Sequence, residues 1–175
     1  GAKIVNMSFG TDKDVPLILD AVNYALSKGV LLVAAAGNDG PFPDSIDYPA
    51  AYASVIAVGA VNDKLQVTDW SSRGINLLTD LGVINDRDIE FAAPGEYIES
   101  TWNNGGYIIL SGTSMASPFV AGLGAKYWQT PLVENVTPAQ ATRDFLRSLA
   151  LDLLPPLEDN DSGFGLPQVE ILPVE

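Results

Sequence analysis

The first third of the chain alternates short apolar runs with one amphipathic segment. Residues 30–36 are apolar at every position and residues 3–9 are mostly apolar, and each run has the length of a buried strand. Between them, residues 14–28 place apolar side chains at helical spacing, and Gly29 follows as a stop signal. The order strand, helix, strand predicts a βαβ unit with two parallel strands.

Later segments repeat these patterns and end in two helices. Apolar runs predict further strands at residues 54–61, 89–93, 97–101 and 107–111. The segment 103–106, Asn-Asn-Gly-Gly, separates the last two and is typical of a hairpin turn. Residues 114–129 predict a helix that is apolar on most faces and therefore buried. Residues 138–151 predict an amphipathic helix with Thr137 as its N-cap.

Two segments lack a clear hydrophobic periodicity. Residues 75–88 mix apolar residues with Asp and Asn and predict an irregular insertion, and residues 158–165 predict an acidic turn. The whole pattern predicts an α/β fold, as part of a doubly wound, mostly parallel sheet with helices on both faces. A chain of 175 residues corresponds to one domain or part of one.

Composition excludes several classes of function. The sequence has 22 acidic and 9 basic residues, and a net charge of −13 disfavours nucleic acid and anionic membrane as partners. Without cysteine there is no disulfide or thiolate, and without histidine no complete Ser–His–Asp triad lies within these residues. No apolar run approaches the length of about 18 residues that a membrane helix needs. Residue 1 is Gly and the first methionine is Met7, so we expect a processed or partial chain without a signal peptide.

The segment 112–118, Gly-Thr-Ser-Met-Ala-Ser-Pro, begins the predicted buried helix directly after a strand and a glycine turn. This order would expose the Ser114 hydroxyl at a helix N-terminus, where free backbone N–H groups and the helix dipole stabilise an oxyanion. Pro118 is expected near the first turn, where a missing N–H costs least. Taken alone, the spacing favours a serine that simply caps the helix.

A second polar side chain follows a strand of small residues. Residues 34–37 are Ala-Ala-Ala-Gly, and Asn38 comes next, at the carboxyl end of a predicted strand. Open α/β sheets bind ligands at this edge, where an asparagine can donate a side-chain N–H. In isolation the pattern is more typical of a turn asparagine in a left-handed conformation.

Together these motifs closely resemble the subtilisin-like serine peptidases, the subtilase family. The matching segments follow the family's order at residues 4–10, 33–40, 48–61, 70–74, 91–95, 98–101, 112–122 and 163–166. GTSMASP at 112–118 is highly specific, and AAGN and SVIAVGA reinforce it. The resemblance implies a subtilisin-like fold and a serine endopeptidase that forms an acyl-enzyme.

The resemblance also implies roles for individual residues. Ser114 matches the nucleophile, and Asn38 matches the side-chain donor of the oxyanion hole, with the Ser114 N–H as its partner. The implied substrate-binding positions are Ser8, Phe9, Gly10, Ala35, Ala36 and Gly37. The first three match the strand that pairs with an extended polypeptide, and the last three match a wall of the primary specificity pocket.

In the family, the catalytic Asp and His lie in the N-terminal half of the domain, ahead of the strand that opens this chain. Neither Asp12 nor Asp14 matches their context. We therefore expect residues 1–175 to be the C-terminal portion of a single subtilase catalytic domain that is inactive alone. Its partners would be the N-terminal half of the same domain and a polypeptide substrate, and the resemblance favours a secreted or extracellular protein.

Asp47 and a group of carbonyl oxygens add two narrower hypotheses. Asp47 matches the floor of the primary pocket, where a buried carboxylate would favour Arg or Lys before the scissile bond and a solvated loop aspartate would not. The implied chemistry needs no cofactor, but the resemblance allows a structural Ca²⁺ or Na⁺ ion. Its ligands would be the carbonyl oxygens of Ala50, Tyr52 and Val55, joined by Asp88 or Glu90.

Two other functions are compatible with parts of the sequence. A non-catalytic relative that only binds peptides is one alternative, because the Asp and His of a triad are not in this chain. The upstream sequence would distinguish this alternative from the peptidase. An α/β-hydrolase esterase fits poorly, because Ala116 replaces the last glycine of its nucleophile motif and no histidine follows the serine.

Overall fold

Four parallel strands form the central sheet and lie in the order β1-β2-β3-β4. The computed structural model describes residues 1–75, 83–131, 133–153 and 159–169. The strands are β1 (Ile4–Met7), β2 (Leu31–Ala35), β3 (Ile56–Val61) and β4 (Phe91–Pro94). Met7 pairs with Ala34, so the carboxyl ends of β1 and β2 lie side by side. The predicted parallel sheet is confirmed.

Helices cover both faces of this sheet. They are α1 (Pro16–Ser27), α2 (Thr113–Lys126) and α3 (Pro138–Ser148). Leu31 and Val33 of β2 pack in the hydrophobic cluster that contains α2, whereas Leu32 and Ala34 pack in the cluster that contains α1. A strand buried on both faces is apolar at every position, which explains the run at residues 30–36. The predicted α/β architecture is confirmed.

Two short antiparallel pairs complete the described structure. They are β5 (Ile98–Thr101) with β6 (Tyr107–Leu110), and β7 (Ala150–Leu151) with β8 (Leu166–Pro167). The first is the predicted hairpin. The second corrects the last predicted helix, which ends at Ser148 because Ala150 and Leu151 pair with β8. No helix in the described ranges combines the length and apolarity needed to cross a membrane.

The two irregular segments are described only in part. Residues 76–82 of the predicted insertion and residue 158 of the predicted turn lie outside the described residues. Residues 83–88 contain no helix or strand, as predicted. Asp159 and Gly163 form an isolated antiparallel bridge, which closes the predicted turn.

Close packing holds one face of α2 against the sheet, whereas Phe119 on another face is 44% exposed, so the prediction of a helix buried on most faces is wrong. A Cβ atom added to Gly124 of α2 would lie 3.2 Å from Leu31 Cδ2 and 3.4 Å from Ile4 Cδ1. The absence of a side chain at Gly124 therefore lets the helix approach β1 and β2. The N-terminus of α2 contacts the carboxyl ends of these two strands through Ser8 and Asn38.

Candidate active site

The expected nucleophile lies in the first turn of α2. Gly112 is the N-cap residue, with a φ of +155° that favours glycine, and Ser114 is the second residue of the helix. The Thr113 N–H of this turn donates to Asn38, and the Met115 N–H donates to the carbonyl oxygen of Gly112. The first turn of a helix leaves such N–H groups without an acceptor four residues earlier. The Ser114 hydroxyl donates a 3.1 Å hydrogen bond to the backbone oxygen of Ser8. Ser114 therefore does not act as a simple helix cap.

Asn38 lies beside the start of the same helix. Its amide oxygen accepts hydrogen bonds from the Thr113 N–H at 3.0 Å and the Thr113 hydroxyl at 3.2 Å. The amide nitrogen is therefore left as a donor for a ligand. The left-handed conformation belongs to Gly37, whose φ is +111°, and Asn38 is not among the residues with positive φ. The structure thus argues against a simple turn asparagine.

Thr113 joins the two candidate residues, and sequence reasoning missed it. Its buried hydroxyl accepts a 3.1 Å hydrogen bond from the Gly37 N–H, and it also lies 3.1 Å from the Gly37 carbonyl oxygen. The end of β2 and the start of α2 are therefore fixed to each other through one side chain. Its position beside Ser114 in the glycine-turn motif was the only signal in the sequence.

Ser8 contacts Ser114 a second time. Its hydroxyl donates a 2.8 Å hydrogen bond to the backbone oxygen of Ser114. This oxygen has no helical partner, because Pro118 lies four residues later inside α2 and has no N–H. The expectation that Pro118 lies near the first turn, where its missing N–H costs little, is wrong. Ser8 supplies the hydrogen bond that the proline removes.

The expected substrate-binding positions lie at the carboxyl ends of β1 and β2. Ser8, Phe9 and Gly10 follow β1, and the Phe9 side chain is 59% exposed. Ala35 and Ala36 are almost fully buried, and Ala36 packs in the core against α1. These two alanines therefore lie inside the protein, and their place in a pocket wall stays a prediction.

A short segment connects the residues that follow β1 with those that follow β2. The Asp47 N–H donates to the carbonyl oxygen of Ala36 at 2.8 Å. The next residue, Tyr48, exchanges two 2.9 Å backbone hydrogen bonds with Thr11. Asp47 therefore lies between the segment that follows β1 and the segment that follows β2.

The Asp47 carboxylate lies against two glycines. A Cβ atom on Gly10 would stand 2.8 Å from Asp47 Oδ2, and one on Gly37 would stand 2.9 Å from the same atom. Burial raises the pKa of the Asp47 carboxyl above its ordinary value, and the negative charges of Asp39 and Asp12 raise it further. Within the described ranges, no Lys or Arg forms an ion pair with Asp47.

Glu90 cannot serve as the cation ligand that the resemblance allowed. Its carboxylate is fully buried and bound by two arginines. Arg143 Nη2 lies 2.6 Å from Oε2, and Arg147 Nε lies 2.7 Å from Oε1. The expectation that Glu90 joins a cation site is therefore wrong, because its charge is already neutralised by α3.

Two of the other expected cation ligands accept hydrogen bonds within the protein. Asp88 is buried and accepts a 2.7 Å hydrogen bond from the Asn85 N–H. The carbonyl oxygen of Tyr52 accepts a 2.8 Å hydrogen bond from the Val55 N–H, within the turn that also contains Ala50. No group of three or more His, Cys, Asp or Glu residues in the described part of the chain is placed to hold a metal ion. A cation site at the carbonyl oxygens of Ala50, Tyr52 and Val55 stays a prediction.

A serine hydroxyl at a helix N-terminus, with an amide nitrogen beside the same turn, suits nucleophilic attack on a carbonyl group. This arrangement on a doubly wound sheet defines an α/β protein with a hydrolase-type site. The chain belongs to the subtilase family, whose family model matches residues 1–165. The resemblance seen in the sequence is confirmed.

Several relatives are proteases. A subtilisin from Bacillus sp. (strain TA39) is 48% identical over 139 residues, which are 76% of this chain and 33% of that protein. The minor extracellular protease Epr of Bacillus subtilis (strain 168) is 41% identical over 94% of this chain and 23% of its own length. The major intracellular serine protease of the same organism is 38% identical over 90% of this chain and 48% of its own length. The chain thus spans less than half of these relatives, which include extracellular and intracellular enzymes.

A solved structure shows the same architecture. Sphericase superposes with a TM-score of 0.85 at 43% identity, covering 95% of this chain and 57% of that one. The similarity confirms the subtilisin-like fold. It also shows that this chain is part of a subtilase catalytic domain.

Proposed function

We propose that this chain carries the nucleophile and the oxyanion-binding groups of a serine endopeptidase. The observation that carries the proposal is the placement of Asn38 at the first turn of α2. Thr113 binds its amide oxygen, and a Cβ atom on Gly112 would lie 3.6 Å from its amide nitrogen. A donor fixed next to the Ser114 N–H is suited to binding a negatively charged oxygen.

The proposed reaction begins with attack of the Ser114 oxygen on the carbonyl carbon of a peptide bond, while the hydroxyl proton passes to a base. The carbonyl oxygen becomes an oxyanion, and the Asn38 amide and the Ser114 N–H donate hydrogen bonds to it. When the tetrahedral intermediate collapses, the base returns the proton to the leaving amine and the acyl group stays on Ser114. Water then hydrolyses this ester. No step needs a cofactor.

The base comes from outside these residues, because the sequence contains no histidine. In the proposal, an Asp and a His are supplied by the N-terminal half of the same catalytic domain. The position of β1 supports this, since β1 pairs only with β2 in the described structure and therefore leaves a strand edge for another segment. An unassisted serine is a poor nucleophile, so the chain alone is inactive.

The proposed substrate is a polypeptide in extended conformation. Phe9 and Gly10 leave the sheet after β1, and no strand in the described ranges pairs with them. Backbone groups in that position can add a peptide as an extra strand, which gives affinity without regard to sequence. Side-chain preference then depends on the residues that border the bound peptide.

We place the intact protein outside the cell, as an expectation that rests on relatives such as the extracellular protease Epr. The intracellular relative from the same organism makes the compartment an experimental question. Immunoblotting of culture supernatant and cell lysate from the source organism would answer it. Recovery only in the lysate would contradict the proposal.

The test uses the intact protein that contains this chain, with Ser114→Ala as the key variant. A fluorophosphonate probe, which labels activated serines, is expected to attach to Ser114, and casein hydrolysis is expected to vanish in the variant. Ser27→Ala, at the exposed end of α1, serves as the matched control and should retain both. Peptide binding without labelling or hydrolysis would contradict the proposal and favour a non-catalytic peptide-binding protein.

A further inference from the structure

The strand β1 and the residue after it carry two polar side chains in line with an apolar one. Ile4 of β1 packs against the hydrophobic cluster that contains residues of α2. Side chains alternate between the two faces of a strand, so Asn6 and Ser8 continue on the α2 side. Ser8 forms hydrogen bonds with Asn6 and with two residues of α2. Apolar packing therefore does not explain why these two positions are polar.

The Ser8 hydroxyl has three polar neighbours. Its oxygen lies 2.8 Å from the backbone oxygen of Ser114 and 2.9 Å from the amide nitrogen of Asn6. The third neighbour is the hydroxyl oxygen of Ser117 in α2, at 3.1 Å. A hydroxyl group has one proton to donate and two lone pairs that accept. The three neighbours therefore use the whole hydrogen-bonding capacity of Ser8.

The direction of each hydrogen bond follows from the Ser114 carbonyl group. A carbonyl oxygen only accepts, so the single proton of Ser8 lies on the bond to Ser114. Asn6 therefore donates to Ser8 through its amide nitrogen. Ser117, which is fully buried, donates to the same oxygen. With both lone pairs of the Ser8 oxygen occupied by donors, its proton is committed to the Ser114 carbonyl oxygen.

We infer that Asn6 is a positioning residue for the Ser114 nucleophile and acts through the Ser8 hydroxyl. The inference rests on the proposed peptidase function and adds a residue to its site. The Ser114 carbonyl oxygen has no helical partner because of Pro118, so it depends on the Ser8 proton that Asn6 directs to it. This hydrogen bond fixes the first turn of α2 against the end of β1. The Ser114 hydroxyl and N–H both belong to that turn, so their places relative to a bound peptide depend on it.

The test replaces Asn6 in the intact protein and measures hydrolysis of one peptide p-nitroanilide. Asn6→Asp has almost the same size, but its ionised carboxylate only accepts. The Ser8 proton therefore turns to the carboxylate and leaves the Ser114 carbonyl oxygen without a donor. We expect kcat to fall by about 10- to 100-fold, with little change in KM. Asn103→Asp, in the exposed hairpin turn, makes the same change elsewhere and should leave kcat unchanged.

A second pair of variants separates the direction of the hydrogen bond from lost packing and from added charge. Asn6→Ala removes the donor and adds no acceptor, so the Ser8 proton stays on Ser114 and kcat should fall less than in Asn6→Asp. Loss of packing alone would affect the smaller side chain at least as strongly. Ser8→Ala removes the shared hydroxyl, so Asn6→Asp should not lower kcat further in that background. An equal effect of Asn6→Asp in both backgrounds, or a kcat of Asn6→Ala as low as that of Asn6→Asp, would overturn the inference.

The outcomes separate this inference from the proposed function. An unchanged kcat in Asn6→Asp, in a protein whose wild type is active, overturns the inference and leaves the peptidase function intact. If the wild type cleaves no substrate, the peptidase function fails, and urea unfolding decides whether Asn6 directs the Ser8 proton. The cost of Asn6→Asp should be smaller in a Pro118→Ala background, in which the helix supplies an N–H to the Ser114 oxygen. An equal cost in both backgrounds refutes the inference.

Discussion

The Ser8 hydroxyl donates a 2.8 Å hydrogen bond to the backbone oxygen of Ser114, across 106 positions of sequence. In a regular helix that oxygen would accept the N–H of the residue four positions later, but Pro118 has none. The proline therefore creates an acceptor at the candidate nucleophile, and the segment after β1 satisfies it. The same segment is the one proposed to bind substrate. This hydrogen bond therefore joins the proposed substrate-binding segment to the candidate nucleophile.

Ser8→Ala is expected to lower the free energy of unfolding by about 1–2 kcal/mol, because it leaves the Ser114 oxygen without a partner. In a Pro118→Ala background the helix can supply an N–H, so the cost of Ser8→Ala should be smaller there. Urea unfolding of the intact protein, in all four combinations, measures this difference. An identical cost of Ser8→Ala in both backgrounds would show that its effect does not pass through the Ser114 carbonyl.

Thr113→Val is expected to lower kcat about tenfold with little change in KM, because the lost hydroxyl no longer holds Gly37 and Asn38 in place. Thr113→Ser keeps the hydroxyl and should retain most of the activity. For comparison, loss of the oxyanion amide itself is known from a subtilisin to cost about 10²–10³ in kcat. Steady-state kinetics on one peptide substrate tests the prediction. Equal kcat for Thr113→Val and the wild type would show that the Thr113 hydroxyl is not needed to position Asn38.

Glu90→Gln is expected to destabilise the fold by about 3–5 kcal/mol, because it leaves Arg143 and Arg147 without their buried counter-charge. Asp144→Asn is the matched control. That carboxylate is exposed and lies 3.6 Å from Arg147, so its loss should cost less than about 1 kcal/mol. Urea unfolding of both variants of the intact protein measures the costs. Similar small losses would mean that the buried pairs are not needed to hold α3 on the sheet.

Asp47 is expected to make the free energy of unfolding fall as the pH rises. Folding raises the pKa of this carboxyl, so the folded state binds its proton more tightly than the unfolded state does. The free energy of unfolding therefore falls as the pH rises from about 3.9, the unfolded value, through the higher folded value. Asp47→Asn should be more stable than the wild type at pH 7, and the difference should narrow toward about pH 4.

Unfolding of the wild type and Asp47→Asn across this pH range, with Asp63→Asn as control, checks the sign. A difference between the two proteins that stays constant with pH would contradict a penalty from the buried charge. The prediction refers to the protein without substrate.

The ends of the helices are predicted less accurately from the sequence than their existence. The buried helix predicted to end at residue 129 ends at Lys126, and the Gln129 N–H donates instead to the hydroxyl of Thr142 in α3. The last helix ends at Ser148 because the next residues pair with β8. In both cases a residue distant in sequence pairs with the backbone that would otherwise continue the helix. Hydrophobic periodicity reports only local spacing, so it does not reveal such a partner.

The sequence by itself determined the parallel sheet, the helix that begins beside Ser114, and membership of the subtilase family. These features depend on local periodicity, glycine turns and short motifs, which a linear pattern records directly. Tertiary structure alone decided that Ser8 replaces the hydrogen bond lost at Pro118, that Glu90 belongs to two arginines, and that the Asp47 carboxylate lies between two glycines. Each of these depends on the charge or hydrogen-bonding capacity of groups brought together from distant segments, and that pairing exists only after the sheet and helices have packed.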